Sequence, residues 1–281
     1  MRSPPPSPRS KRPKVARSTD ARIALTVAGL DPSGGAGIAA DLRGFAAAGA
    51  WGCAVASVLT VQSTAGLVSA HPVAPSLLRA QLVEVLAHHP VGIVKTGALG
   101  NAANVRVLLD VLAAHPRLRL VVDPVLMPTR GRGAALLDDA SDALRSLVAR
   151  AVLVTPNARE ATVLTGIEVT DVASQERAGR ALLELGARAV LVKGGHVRGR
   201  RAVDVLITRR SVVRLSARRL DVGETHGTGC TLASMIAGRL ASTRGADDAS
   251  LVVAVRWAKR RLSRALGGAM RVGDGLLVLS P

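Results

Sequence analysis

Aromatic residues are almost missing from this chain. Its 281 residues include no tyrosine, one phenylalanine (Phe45) and two tryptophans (Trp51 and Trp257), although 48% of the residues are hydrophobic. Base stacking on aromatic platforms, on which single-strand nucleic-acid modules rely, is therefore largely excluded. The core has to be built from Ala, Val and Leu, which suits helices packed on a parallel sheet. Cysteine is scarce as well: Cys53 and Cys230 are too few and too far apart for a disulfide framework or a zinc cluster. The N-terminus runs from Arg2 into prolines and lacks the apolar h-region of a secretory signal. Between Gly44 and Leu78 there is no charged residue, but Gly49, Gly52, Gln62, His71, Pro72 and Pro75 interrupt the stretch. So many breakers argue against a membrane span and for a helix end followed by a fully buried strand. The expected protein is cytoplasmic, with no membrane partner.

Acidic residues are outnumbered, 20 against 38 basic ones, for a net charge of +18. Part of the excess lies in residues 1–20, where Arg2, Arg9, Lys11, Arg12, Lys14 and Arg17 face only Asp20. That Pro-, Ser- and Arg-rich segment reads as a disordered basic tail, and residues 21–281 as a single domain. A basic surface attracts polyanions at low salt, but no nucleic-acid recognition motif accompanies it, so no specific nucleic acid is expected.

From Ile23 onward, short apolar runs alternate with amphipathic stretches. Strands are predicted at Ile23–Ala28, Cys53–Val61, Val91–Val94, Leu118–Val122, Val152–Thr155 and Ala189–Val192, and a hairpin at Val203–Thr208 and Ser211–Leu215. Helices are predicted at Ile38–Ala48, with Asp41 and Arg43 on the wet side, at Leu77–His88, Val105–Ala114 and Ala140–Ala149, and from Glu160. Three more are expected around Arg177–Leu185, Cys230–Leu240 and Ser250–Leu266. Such alternation builds a parallel sheet covered on both faces, whose ligand site lies beyond the carboxyl ends of its strands. The segments after each strand are accordingly rich in Gly, Asp, Asn, Lys, Thr and His.

Two nucleotide motifs fail. Gly35-Ala36-Gly37-Ile38-Ala39-Ala40 fits the loose dinucleotide pattern, but no acid occurs between Asp41 and Glu84 to hold a ribose. No Gly-Lys pair exists for a Walker-type loop. The six histidines show no metal-ligand spacing. The informative hexamer is Thr225-His226-Gly227-Thr228-Gly229-Cys230, small residues leading into an apolar helix. Amides at such a start point outward unpaired and carry partial positive charge, which suits phosphate. Lys193-Gly194-Gly195-His196 ends one strand, Asp123-Pro124 another, and Asn157 and Glu160 follow a third. Asn157 and Glu160 also fit a helix cap and a capping-box acid. Together these residues are the parts of metal-assisted phosphoryl transfer.

AGLDPSGGAGIAADLRGFAAAGAWG, VLTVQST, VKTGALG, VVDPVL, VTPNAREATVLTG, LVKGGH and THGTGCTLAS stand in the order and spacing of a known family. Over roughly Ile23–Leu266 the chain resembles the hydroxymethylpyrimidine/phosphomethylpyrimidine kinases of thiamine biosynthesis. The resemblance implies an α/β fold, a ribokinase-like three-layer αβα sandwich with a central mostly parallel sheet, usually a homodimer. It implies phosphorylation of 4-amino-5-hydroxymethyl-2-methylpyrimidine and then of its monophosphate, with ATP and Mg2+ each time. On that basis Gln62, after the second strand, would bond the aminopyrimidine edge, and Gly29 and Val125 would line the pocket. Lys193, with Asn157 and Thr225, would serve ATP. Asp123 and Glu160 would organise magnesium. Gly227, Thr228 and Gly229 would form the anion hole, with Cys230 in the position where sugar kinases of this fold place an aspartate base. A thiol at a helix start can have a lowered pKa and act as a thiolate, but nearby phosphate opposes that shift, so Cys230 would position the alcohol more than deprotonate it.

The chain departs from the family pattern in three places. Thr129-Arg130-Gly131-Arg132-Gly133 replaces a Lys-Ser-Gly flap element, with Arg130 or Arg132 as a substitute clamp. Ala98 stands where a Met commonly packs on the pyrimidine, and GDGLLVLSP replaces a Gly-His-Gly-Pro ending. Ala98 keeps a pyridoxal-type vitamin kinase in view as a rival. A weakened kinase fold acting as a ligand sensor is the rival from another class.

Overall fold

The computed structural model describes residues 22–126, 137–138, 141–195, 197, 199, 201–243 and 245–281. The basic tail, the Thr129–Gly133 flap and His196 lie outside the described residues. The chain opens with β1 (Ile23–Leu30), α1 (Gly37–Ala47), β2 (Trp51–Ser63), β3 (Gly66–Pro72), α2 (Pro75–His88), β4 (Val91–Thr96), β5 (Gly100–Asn101) and α3 (Ala102–Ala114). It continues through β6 (Arg119–Val122), β7 (Leu137–Asp138), α4 (Ser141–Ala149), β8 (Leu153–Val154), α5 (Ala158–Thr165), α6 (Val172–Glu184) and β9 (Ala189–Val192). β10 (Arg201–Thr208), β11 (Val212–Arg218), β12 (Thr225–His226), α7 (Thr228–Ala241), α8 (Asp248–Gly267) and β13 (Leu277–Val278) complete it.

Among the described residues nine strands form one sheet in the order β11-β10-β9-β8-β6-β4-β1-β2-β3. Neighbours from β9 to β2 run parallel, and an antiparallel ribbon closes each edge, β10–β11 on one side and β3 on the other. Helices cover both faces, giving the expected αβα sandwich. On one face Phe45 of α1, Met235 and Ile236 of α7 and Val255 of α8 pack with Ala24, Ile93 and Leu191. On the other, Leu78, Leu108, Leu147, Ala161 and Leu182 of α2 to α6 pack with Leu25, Val27, Val94 and Val190. Strands buried on both sides are what parallel pairing demands, hence their unbroken apolar runs.

Three sequence expectations need correction. Asp41 is not on a wet face: it is fully buried, with α1 pressed on the sheet, and is paired with Lys95. The Cys53–Val61 strand runs from Trp51 to Ser63, is exposed along one side at Leu59 and Val61, and turns at once into β3, which the sequence reading did not contain. Gln62 therefore lies within β2 rather than after it. The divergent C-terminus has a structural task. β13 pairs in parallel with β12, and the Leu276 amide donates to the Thr64 carbonyl at 2.8 Å, so this ending braces the strand leading into α7.

Candidate active site

Parallel pairing brings the ends of β6, β8 and β9 side by side, so Asp123, Asn157, Glu160 and Lys193 meet although far apart in sequence. Lys193 Nζ donates to Asp123 Oδ1 at 2.9 Å and stands 3.9 Å from Glu160 Oε2. Thr155 donates its hydroxyl to the same Asp123 oxygen at 3.1 Å. Burial by itself would raise the Asp123 carboxyl, but Lys193, with Lys95 and Thr155, pulls it below the usual range. Burial also pushes Glu160 up, and with Asp123 adding repulsion it reaches about 7 in spite of Lys193. Behind this cluster, Asp204 accepts the Gly194 amide at 2.8 Å and is paired with Lys259 at 2.6 Å, which pins the turn that follows Lys193.

Asn157 and Glu160 also form a complete capping box at α5. The Asn157 side chain accepts the Glu160 amide at 2.9 Å, and Glu160 accepts the Asn157 amide at 2.7 Å. The cap locks the Glu160 carboxylate beside Lys193, so the structural reading does not exclude the functional one. Among the described residues no group of three or more His, Cys, Asp or Glu side chains is arranged to enclose a metal ion. A magnesium ion needs less, since it is held through one or two carboxylates plus substrate phosphates. The bonds from Lys193 and Thr155 both fall on Asp123 Oδ1, and Oδ2 faces the start of α7, so these residues fit such an ion.

That helix start completes the cluster. The N-cap of α7 is Gly227, whose φ of 75° and contact with the Gly35 carbonyl exclude any side chain, and among the described residues no side chain caps the helix. A Cβ at Gly229 would lie 3.1 Å from Lys193 Nζ. The first amides of α7 are therefore presented beside the Lys193–Asp123 pair, as an anion cradle requires. Thr225 and Thr228 flank the entry with their hydroxyl oxygens 2.8 Å apart.

The helix start does not lower the pKa of Cys230. Burial raises its thiol to about 11, Asp41 and Asp123 add to the rise, and Lys95 and the Gly37 amide only partly oppose it. Desolvation outweighs the helix start here. At neutral pH Cys230 is a thiol.

Of the proposed pocket residues, Gly29 and Ala98 are neighbours. A Cβ on Gly29 would sit 3.7 Å from that of Ala98 and 3.6 Å from that of Val58. Val125, just past Asp123, lines a small cavity with Gly97 and Asp123 on the α4 side of the sheet. The side-chain amide of Gln62 lies 3.0 Å from His226 Nε2, and His226 in turn lies 2.8 Å from Asp31 Oδ2. The sequence reading assigned no role to Asp31 or His226, although both stand inside quoted motifs. Asp31 also accepts from the Ser33 amide and hydroxyl and from the Ala36 amide, which ties the glycine-rich loop together. Burial works to raise its carboxyl, but His226 and Ser33 outweigh it and hold it at about 2. Lys95, in a segment flagged for chemistry, is instead sealed inside β4. Its Nζ lies 2.8 Å from both Asp41 oxygens, and Thr26 donates to Asp41 at 2.6 Å.

Among the described residues no helix is long and apolar enough to cross a membrane. Residues 31–279 match the family model described as phosphomethylpyrimidine kinase. The chain is 37% identical over 254 residues to the hydroxymethylpyrimidine/phosphomethylpyrimidine kinase of Rhizobium meliloti, covering 90% of this chain and 93% of that protein. In relatives called bifunctional or multifunctional thiamine-biosynthesis proteins it spans half the length or less. An ADP complex of Bacillus subtilis pyridoxal kinase superposes with a TM-score of 0.82 at 27% identity, covering 92% of this chain and 97% of that one. The phosphomethylpyrimidine kinase from Clostridium difficile superposes with a TM-score of 0.73 at 32% identity, covering 87% and 99%. By motif, fold and similarity along nearly its whole length, this chain belongs to the hydroxymethylpyrimidine/phosphomethylpyrimidine kinase family.

Proposed function

We propose that this protein transfers the γ-phosphoryl group of ATP to 4-amino-5-hydroxymethyl-2-methylpyrimidine, and then phosphorylates the monophosphate to the diphosphate. The observation that carries this reading is the meeting of Lys193, Asp123 and Glu160 with the uncapped glycine start of α7. Charge develops on the oxygens of the group in flight, and donors fixed beforehand where that charge appears lower the barrier. Lys193, with Asn157 and Thr225 nearby, meets the ATP phosphates, and the amides at Gly227, Thr228 and Gly229 receive the moving group.

In the first transfer a bond forms from the hydroxymethyl oxygen to the γ-phosphorus, and the bond to the oxygen of departing ADP breaks. The hydroxyl proton leaves late, to a phosphoryl oxygen or to water, since a loose transition state asks little of a base. Cys230, a thiol at neutral pH, orients the acceptor oxygen and does not deprotonate it. Mg2+ belongs to this reading, held by Asp123 and Glu160 together with the phosphates; when bound it neutralises phosphate charge. The side-chain amide of Gln62 reads the aminopyrimidine edge, over a floor formed by Gly29, Ala98 and Val125.

The same reading makes the protein a cytoplasmic homodimer with one catalytic domain. Two free cysteines suit a reducing compartment. Exposed Leu59, Val61 and Val68 at the β2–β3 edge offer an apolar face for a second copy, which light scattering would detect. A pyridoxal kinase is the second reading, favoured by the small Ala98 beside Gly29. A coupled assay of ADP release with hydroxymethylpyrimidine, its monophosphate and pyridoxal separates the two. Turnover of both pyrimidines is expected, and turnover of pyridoxal alone would overturn the assignment.

A further inference from the structure

We infer that the Asp31–His226 pair fixes the amide of Gln62 with its oxygen toward His226 and its NH2 turned away, which makes Asp31 and His226 positioning residues for substrate recognition. The inference rests on the pyrimidine-kinase reading above for its consequence, but not for its geometry.

His226 Nε2 has two polar neighbours, Asp31 Oδ2 at 2.8 Å and the amide end of Gln62 at 3.0 Å. The Asp31 carboxylate already accepts from the Ser33 amide and hydroxyl and from the Ala36 amide. Three donors hold the ionised form, which is acceptor-only. An oxygen of that kind 2.8 Å from a bare ring nitrogen would set lone pair against lone pair, so Nε2 carries a proton and donates it to Asp31. The same holds for the neutral Nε2–H tautomer and for the doubly protonated ring. Whatever part of Gln62 also faces that N–H must then be an acceptor. The amide nitrogen stands on that side, but a half-turn about the last side-chain torsion exchanges nitrogen for oxygen without changing shape. The oxygen therefore belongs there. Packing of the His226 ring against Gly35, where a Cβ could not fit, stops it from swinging away.

The consequence is a polarity in the pocket. Gln62 is half-buried, and its free end offers two N–H donors, with the second lone pair of Oε1 beside them. This order matches a ring nitrogen that accepts next to an amino group that donates. Turned the other way, the amide would set an acceptor against the ring nitrogen.

The direct test uses the full chain labelled with 15N-histidine, with no substrate present. The His226 ring signals are identified by their loss in His226→Gln. Long-range proton–nitrogen NMR is expected to show a protonated Nε2. A bare Nε2 would overturn the inference, and neither result depends on what the enzyme phosphorylates. Kinetics then reads the consequence. His226→Gln keeps an N–H at the same reach and should leave the KM for the pyrimidine within about 3-fold, whereas His226→Leu should raise it roughly 10- to 100-fold. The KM for ATP should stay fixed in both. Equal losses in the two variants, or an ATP KM that moves in step, would show a structural role only and end the proposal. If His226→Leu does not fold, the NMR result on the unaltered chain can still overturn the proposal.

Discussion

Two lysine–aspartate pairs stand at the carboxyl ends of strands in this sheet, with nearly the same contact distance and opposite fates. Lys95 and Asp41 are 2.8 Å apart, and both side chains are 0% exposed. Lys193 and Asp123 are 2.9 Å apart, but Lys193 keeps 13% of its side chain in contact with solvent. In the first pair every partner is internal: both Asp41 oxygens hold Lys95, and Thr26 adds a third bond. Burial works against the Lys95 ammonium, yet Asp41, together with Cys230 and Asp123, outweighs it and keeps it charged. In the second pair the ammonium also stands 3.9 Å from Glu160 and looks onto the start of α7. An ion pair sealed from solvent joins two elements. One that has a surplus carboxylate and an open side can take a ligand.

The largest effect should come from breaking the sealed pair. Lys95→Met leaves the Asp41 carboxylate without its partner in the interior, and such a loss costs about 3–5 kcal/mol. For a domain of this size Tm should fall on the order of 10 °C, as thermal denaturation would show. The double variant Lys95→Met with Asp41→Leu should recover most of the loss, since an apolar pair of similar volume is tolerated where half an ion pair is not. If the single variant lost no stability, the pair would not be joining α1 to β4.

The open pair should respond in the reverse manner. Lys193→Met removes a charged donor from the proposed phosphoryl site, so kcat should fall roughly 10²- to 10³-fold. Its Tm should drop less far than in Lys95→Met, because the Asp123 left behind keeps the Thr155 hydroxyl and the charge of Lys95. Steady-state kinetics on folded protein and a melting curve on the same sample make the comparison. Full turnover in Lys193→Met would remove the lysine from the chemistry.

The contrast also marks what could be read from the chain alone. Parallel strands collect polar residues at their carboxyl ends, so Asp123, Asn157, Glu160, Lys193 and the Thr225–Cys230 hexamer were legible as one site before any geometry. Which lysine is sealed was not legible. Asp41 lies 54 residues from Lys95, and an acid on a helix is normally wet, so nothing local reveals its partner. His226 and Asp31 are 195 residues apart and were passed over for the same reason. The β2–β3 hairpin was hidden because both strands fall in one apolar stretch with only Ser63, Thr64 and Gly66 at the turn. Whether Cys230 is a thiol or a thiolate was not legible, because a helix start and burial act on a thiol in opposite directions, and only depth decides between them.

The smallest effect tests the surplus carboxylate itself. Burial raises Glu160 to about 7, so the folded protein holds a proton that an unfolded glutamate gives up near 4.5. Where the native state binds more protons, stability falls as pH rises. Glu160 should therefore destabilise the ligand-free protein progressively between about pH 4.5 and 7, and fully above that range. Glu160→Gln keeps the shape, and its oxygen can still accept the Asn157 amide, as glutamine does at this position of a capping box. It cannot ionise. Its Tm should match the unaltered protein near pH 4 and exceed it by a few degrees at pH 8. Turnover should drop, because the carboxylate that weakens the empty site is the one proposed to meet the charge of the loaded site. Melting curves that run parallel from pH 5 to 8 would mean that Glu160 is an ordinary cap residue, and that the open pair, like the sealed one, has no charge to spare.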